Sequence, residues 1–416
     1  MSASPAAALL ARLRGWEGEM AALVAELAGV ESPSLVPEAQ RAVLDRLGRE
    51  LAALGWRVRL LAGRRSGGQL YGAPPPRPRP ARPKRGPGRG PAQLLLGHCD
   101  TVWPLGTLAE MPVVRRNGRL YGPGVYDMKG GLVQAVFALR ALCELDLTPP
   151  ATPVVFVNSD EEIGSGDSTR RIRLLARHVR RVFVVEPALG PEGRLKTRRK
   201  GAGHFTFNIQ GRAAHAGLDP ERGSSAILEL AHLVLRLYAL ADPRRGITVN
   251  VGVVAGGMRA NVVAPRARAE VDVRVLRWED AAPLERALRG LAPVLPGIRL
   301  EVAGAIDRPP LAPTDRNRAL WREAERAALA LGLRLEQGTA GGASDGNTTS
   351  LFAPTLDGLG AVGDGAHAAD EHLEIARLPE RAALLAMLLL APLAPETSAS
   401  AGGSPLRASS GGGEGA

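Results

Sequence analysis

Hydrophobic and polar positions along this 416-residue chain follow two rhythms, which change over near Lys200. Before it stand continuous apolar runs of buried-strand length: "AQLLLG" from Ala92, "TPVVFVN" from Thr152 and "RRVFVVE" from Arg180. Helical patterns separate them, "MKGGLVQAVFALRALCEL" from Met128 and "DSTRRIRLLARHV" from Asp167. Strand, helix, strand predicts an α/β unit with a mostly parallel sheet covered by helices. After Lys200 the strands alternate, as half-exposed strands do: "GHFTFNIQ", "ITVNVGVVAGG", "ARAEVDVRVL" and "IRLEVAG". Two amphipathic helices, "SSAILELAHLVLRLYAL" and "DAAPLERALRGLAPVL", lie among them. This predicts an inserted α+β lid of two helices and four strands. Beyond Pro310, "RALWREAERAALALG" returns to the first style. The expected order is a first catalytic part over 1–200, the lid over 201–309, a second catalytic part over 310–393 and a disordered tail over 394–416.

Charge changes the picture in one place. The net charge of +11 is concentrated between Gly63 and Gly90, where Arg64, Arg65, Arg77, Arg79, Arg82, Lys84, Arg85 and Arg89 stand with no acid among them. Proline recurs through the same stretch and removes backbone donors, so 63–90 is expected to be a disordered basic insert. Without interleaved aromatics it offers bases no stacking platform, which argues against nucleic-acid binding. A basic protein that docks on nucleic acid or an anionic surface is the remote alternative. No run approaches the ~18 apolar residues of a membrane span. The N-terminal stretch has no basic leader before its apolar run, which Arg12 and Arg14 interrupt, so no signal peptide is read there. Cys99 and Cys143 are too few for a disulfide framework. A cytoplasmic location is expected.

Candidate chemistry gathers at the ends of the buried strands, where open α/β sheets hold their ligands. "QLLLGHCDTVW" ends in His98 and Asp100, two residues apart and on one side of an extended strand, so the carboxylate can orient the imidazole. "VVFVNSDEEIGS" ends in Asp160, Glu161 and Glu162, three acids that need a counter-charge or else form a solvated turn. "VFVVEPAL" ends in Glu186. Asp127 in "YGPGVYDMKGG" precedes a helix, where it suits capping as well as ligation. His367 stands in the glycine-rich "GAVGDGAHAADEH".

Taken in order, "GHCDTV", "GPGVYDMKGG", "NSDEEIGS", "VVEP", "GRAAHAG" and "GAHAADE" resemble the motif set of a family of dinuclear zinc hydrolases. That family includes folate-cleaving glutamate carboxypeptidases, aminoacylases, acetylornithine deacetylases and succinyl-diaminopimelate desuccinylases. The resemblance runs from about residue 16 to 392 and lies nearest the glutamate carboxypeptidase branch. It implies two zinc ions per subunit: His98 and Glu186 on one, Glu162 and His367 on the other, Asp127 bridging. It further implies Asp100 as the partner of His98, Glu161 as general base and a cis peptide at Asp127–Met128. His215, in the lid, would serve the active site of the second subunit of a homodimer formed through that domain. Asn261, Arg274, Arg308 and the loop around Gly342 resemble substrate-binding positions. The implied substrate is a small molecule or short peptide with a free carboxylate, glutamate being one candidate. The expected activity is a zinc-dependent carboxypeptidase, and the alternative is an N-acyl-amino-acid amidohydrolase.

Overall fold

The computed structural model describes residues 4–75 and 91–394. Its central sheet has six strands in the order Arg57–Leu61, Gln69–Ala73, Thr152–Asn158, Ala92–His98, Val182–Val184 and Thr355–Leu356. The first two pairings are antiparallel and the other three parallel. Alternate residues of these strands enter different cores, because successive side chains point to opposite faces. Leu95, Val155 and Phe183 join the larger core; Leu94, Leu96, Val154 and Phe156 join the smaller one. The helices Pro5–Arg14, Glu17–Ala28, Pro37–Ala53, Gly130–Glu144 and Leu378–Leu390 supply the larger core, and Thr169–Ala176 covers the other face through Ile172. Burial on both faces explains why these strands read as unbroken apolar runs. The expected fold class holds.

The four alternating strands form a separate antiparallel sheet, ordered Thr248–Gly256, Arg266–Val275, Gly201–Gln210, Arg299–Arg308. Helices Ala226–Tyr238 and Ala281–Arg289 pack on one face of it around Phe205, Phe207, Leu233, Val271 and Leu288. A small antiparallel sheet joins Val114–Arg116 and Arg119–Tyr121 to His372–Glu374 and Gly363–Asp364. Its hairpin turns through Asn117 and Gly118, both at positive φ, the geometry that a two-residue hairpin requires. This sheet ties the chain before Asp127 to the chain after His367. Among the described residues, no helix is long and apolar enough to cross a membrane.

The expectation of disorder over 63–90 needs correction for its first half. Gln69–Ala73 is a strand inside the central sheet, paired on both sides. Leu70 and Gln69 are both fully buried, and the apolar burial of Leu70 outweighs the arginines and prolines around it. The preceding loop is held by Asp167, whose Oδ2 accepts the N–H groups of Arg64, Arg65 and Ser66 at 2.7, 2.6 and 3.0 Å. Residues 76–90 and the tail from 395 onward lie outside the described residues.

Candidate metal centre

Three parallel strands end side by side. His98 pairs in register with Asn158, and Leu96 with Val184, so the loops that follow deliver His98, Glu161, Glu162 and Glu186 to one place. Asp127 arrives from the tight turn Val125–Lys129, just before the helix Gly130–Glu144, and the Asp127–Met128 peptide is cis. His367 arrives from the loop between the strands Gly363–Asp364 and His372–Glu374, with φ at +63°. That left-handed backbone costs a non-glycine residue roughly 1 kcal/mol, and here it turns the ring toward Glu162 and Asp127.

The geometry is that of two histidine–carboxylate pairs sharing one acid. His98 Nε2 lies 3.4 Å from Asp127 Oδ1 and 3.5 Å from Glu186 Oε1. His367 Nε2 lies 3.5 Å from Asp127 Oδ2 and 3.2 Å from Glu162 Oε1. The ligating atoms of His98, Glu161 and Glu186 lie within 4.8 Å of one another, as do those of His98, Asp127 and Glu162. Asp127 Oδ1 is buried without a hydrogen-bond partner, an orphaned acceptor facing the cluster. Imidazole nitrogens with carboxylate oxygens form a donor set that suits zinc better than magnesium or calcium. The residues fit a pair of divalent ions.

Electrostatics point the same way. Burial, then Glu186 and Asp345, push the Glu161 carboxyl well above its ordinary range. Burial and the neighbouring Asp127 raise Glu162. Burial penalises the His98 cation, yet Asp100, Asp127 and Glu186 outweigh it and hold the imidazole well above its usual value. Asp127 and Glu162 raise His367 to about 10. Burial would raise Asp127 and Glu186 too, yet His367 and His98 hold the first down and Arg199 the second, so the unrelieved excess of acid falls on Glu161 and Glu162, where a cation would relieve it.

Second contacts hold the first. Asp100 is fully buried, 3.4 Å from His98 Nδ1 through Oδ1, and it accepts the N–H groups of Glu161 and Glu162 at 3.2 Å each. Ser34 donates to Asp100 Oδ2 at 2.7 Å. Arg199 donates to Glu186 at 2.9 Å and to both oxygens of Asp357 at 2.8 and 3.1 Å. Lys196 Nζ stands 4.0 Å from Glu186. Asp345, buried beneath Glu161, accepts from Asn158 at 2.7 Å and from Ser165 at 2.5 Å. None of Ser34, Lys196, Arg199, Asp345 or Asp357 is named by the sequence reading. "LKTRRK" looks like a solvated basic run; in the strand Leu195–Arg199, paired with Gln337–Ala340, it buries Lys196 and Arg199 and leaves Arg198 exposed.

Of the expected substrate-binding groups, Arg308 reaches the cluster, with Nη1 3.3 Å from Glu161 Oε1. The Gly342 carbonyl joins it indirectly, accepting from Arg199 at 3.1 Å. Arg274 does not, because Asp272 on its own strand holds it by two bonds of 2.7 and 2.8 Å. His215 and Asn261 are exposed side by side on the lid, without a hydrogen bond or ion pair to the cluster. His215 Nδ1 accepts the N–H groups of Gly217 and Leu218 at 3.1 and 3.2 Å, which leaves Nε2 as the protonated nitrogen.

Known proteins share both sequence and fold with this chain. The profile of peptidase family M20/M25/M40 matches residues 94–391. Carboxypeptidase G2 of Pseudomonas sp. (strain RS-16) is 31% identical over 309 residues, 73% of this chain and 74% of that one. Succinyl-diaminopimelate desuccinylase of Rhodospirillum centenum is 26% identical over 388 residues, 86% of this chain and 94% of that one. In fold, a dinuclear metal-binding peptidase of family M20 from Bacillus subtilis superposes with a TM-score of 0.64 at 15% identity, covering 90% of this chain and 98% of its own. With its motifs in order and its strand ends converging on one acid-rich cluster, the chain belongs to peptidase family M20/M25/M40 and is a hydrolase of peptide or amide bonds.

Proposed function

We propose that this protein is a zinc-dependent carboxypeptidase that releases a C-terminal amino acid, glutamate being the first candidate, with two zinc ions per subunit. The observation that carries the reading is the sharing of Asp127 between His98 and His367, with Glu161 and Arg308 poised beside it. His98, Asp127 and Glu186 would hold one ion and Asp127, Glu162 and His367 the other. When bound, such ions lower the pKa of water to about 7 and polarise a carbonyl.

The chain's own residues supply the rest. Glu161 is half-buried in a setting that favours its protonated form, so its carboxylate would take a proton from water and return it to the departing amine. Asp100 fixes the His98 ring and the backbone of Glu161 and Glu162 together, which keeps base and ligands in register. Arg308 carries a planar fork suited to a substrate carboxylate, and its pairing with Glu161 places that carboxylate next to the base. Arg274 and Asn261 would contribute after lid movement, Arg274 by exchanging Asp272 for substrate.

The reading includes a homodimer through the lid. Thr248–Gly256 is the edge strand of its sheet, and Val253, Val254 and Met258 are exposed there. Beside them the helix Ala226–Tyr238 exposes Ile227, Leu228, Leu235 and Tyr238; Tyr238 bonds to Asn250 of the edge strand. We infer that a second copy covers this apolar face and open strand edge about a two-fold axis. His215, with Nε2 free to donate, would then serve the partner's site as oxyanion donor. A second reading, N-acyl-amino-acid amidohydrolase, is favoured by the longer span over which the desuccinylase aligns.

The test measures metal content and product release from acyl- and peptidyl-glutamates and from N-acyl amino acids, for wild type and Glu161→Gln. We expect about two ions per chain and a fall in kcat of roughly 10²–10⁴ in the variant with metal content unchanged. Release from N-acyl amino acids alone would select the second reading. A chain that takes up no metal would sink both.

A further inference from the structure

Glu371 lies four residues beyond His367, beside the strand His372–Glu374, and is buried. Its carboxylate accepts four hydrogen bonds. Oε1 takes the backbone N–H groups of Tyr126 and Asp127, each at 3.0 Å. Oε2 takes the N–H of Gly124 and the indole N–H of Trp103, again at 3.0 Å each. Its own carbonyl accepts from Gly122 at 3.2 Å. Gly365, at φ +78°, passes so close that a Cβ there would meet the Glu371 backbone at 2.9 Å. The donors come from the loop after Asp100 and the turn carrying Asp127, and the acceptor from the loop carrying His367. One buried carboxylate therefore clamps three of the loops that build the cluster.

We propose that Glu371 is a positioning residue for the metal centre: it fixes the backbone of the shared ligand Asp127, and through it the spacing of both histidine–carboxylate pairs. The inference rests on the metal-hydrolase reading above. A carboxylate is the side chain the arrangement requires, because both oxygens face pairs of N–H donors. Glutamine has the same shape but must turn its NH₂ group against one of those pairs. Because Asp127 is common to both halves of the centre, loosening it weakens both. A plain loop staple would lower stability and leave metal affinity as it is.

The test compares wild type with Glu371→Gln by calorimetric titration of the metal-free proteins with Zn²⁺ and by the visible spectrum of the Co²⁺ forms. Binding weakened about 10- to 100-fold, with a changed Co²⁺ spectrum and circular dichroism preserved, is the expected result. Wild-type affinity and spectrum in the variant would overturn the inference. Should the variant fail to fold, hydrogen exchange in the metal-free wild type decides. Slow exchange at Tyr126 and Asp127 before any metal is added supports Glu371 as the clamp. Fast exchange that slows only with Zn²⁺ would show that the metal holds the turn and would overturn the inference. A wild type that binds no ion removes the metal reading itself, a separate outcome from two ions bound equally well in both proteins.

Discussion

Arg199 is buried, and its guanidinium spans Glu186 and Asp357. Burial penalises its charge, yet Asp357 and Glu186 raise its affinity for the proton. Removing one partner of a buried ion network strands the other, so Arg199→Met is expected to cost about 3–5 kcal/mol in urea unfolding. Arg199→Lys should not restore it, since a single ammonium cannot reproduce the fork that reaches both acids. At this scale the cluster was legible only from its motifs taken together: each histidine or acid alone also suits a cap or a solvated turn, and the structure adds that His98, Asp127, Glu162, Glu186 and His367 meet in one place. The two named arginines divided: Arg308 reaches the cluster and Arg274 does not. Arg274 and Arg308 both sit on lid strands, and sequence alone does not show that Asp272 neutralises the first. A register shift between Ile306 and Arg308 lies just before the second, which faces Glu161.

Among the elements, the last helix shows how a buried cation finishes a secondary structure. Arg181 donates to the carbonyls of Leu389, Ala391 and Pro392 at 3.3, 2.9 and 3.4 Å, where the helix Leu378–Leu390 leaves its final oxygens unpaired. Gln93 completes the group, accepting from Arg181 at 2.8 Å and donating to Leu389 at 3.0 Å. Arg181→Met should lower stability by about 2 kcal/mol, the scale of lost charge-assisted hydrogen bonds. Calorimetry should show the loss with metal content unchanged. Long periodic elements were readable for a simple reason: their pattern repeats over many residues. The strand Gln69–Ala73 was not, because five residues beside a run of prolines and arginines carry too little pattern to outweigh their surroundings. The small sheet that supports His367 escaped as well, since its strands are two or three residues long and are defined by partners far away in sequence.

For the whole molecule, the lid sets the decisive question: whether one chain completes another's site. His215→Ala and Glu161→Gln should each be nearly inactive alone. After co-refolding, half of the dimers are mixed and one of their two sites is intact, so about a quarter of wild-type activity should return. Recovery absent from co-refolded samples that are dimeric by sedimentation would show that His215 acts within its own chain or not at all. The lid itself was readable from its alternating strands. A homodimer through it came from the resemblance alone, since an exposed apolar face looks the same in sequence whether or not something covers it.

The register of the central sheet also separates two poles. Strand Gln69–Ala73 runs antiparallel to Thr152–Asn158, and Ala92–His98 runs parallel to it, with Gly72 opposite Val155 and Ala92 opposite Thr152. The chain therefore departs after Pro75 and returns at Pro91 on the side opposite the His98 end, a strand's length of about 20 Å away. Both points lie at the rear of the molecule, away from the acid-rich cluster. Lengthening a flexible connection costs only about 0.6 kcal/mol per doubling. A segment grafted between the two points should therefore leave the chemistry at the opposite end of the sheet undisturbed, whereas the same graft beside His98 would not.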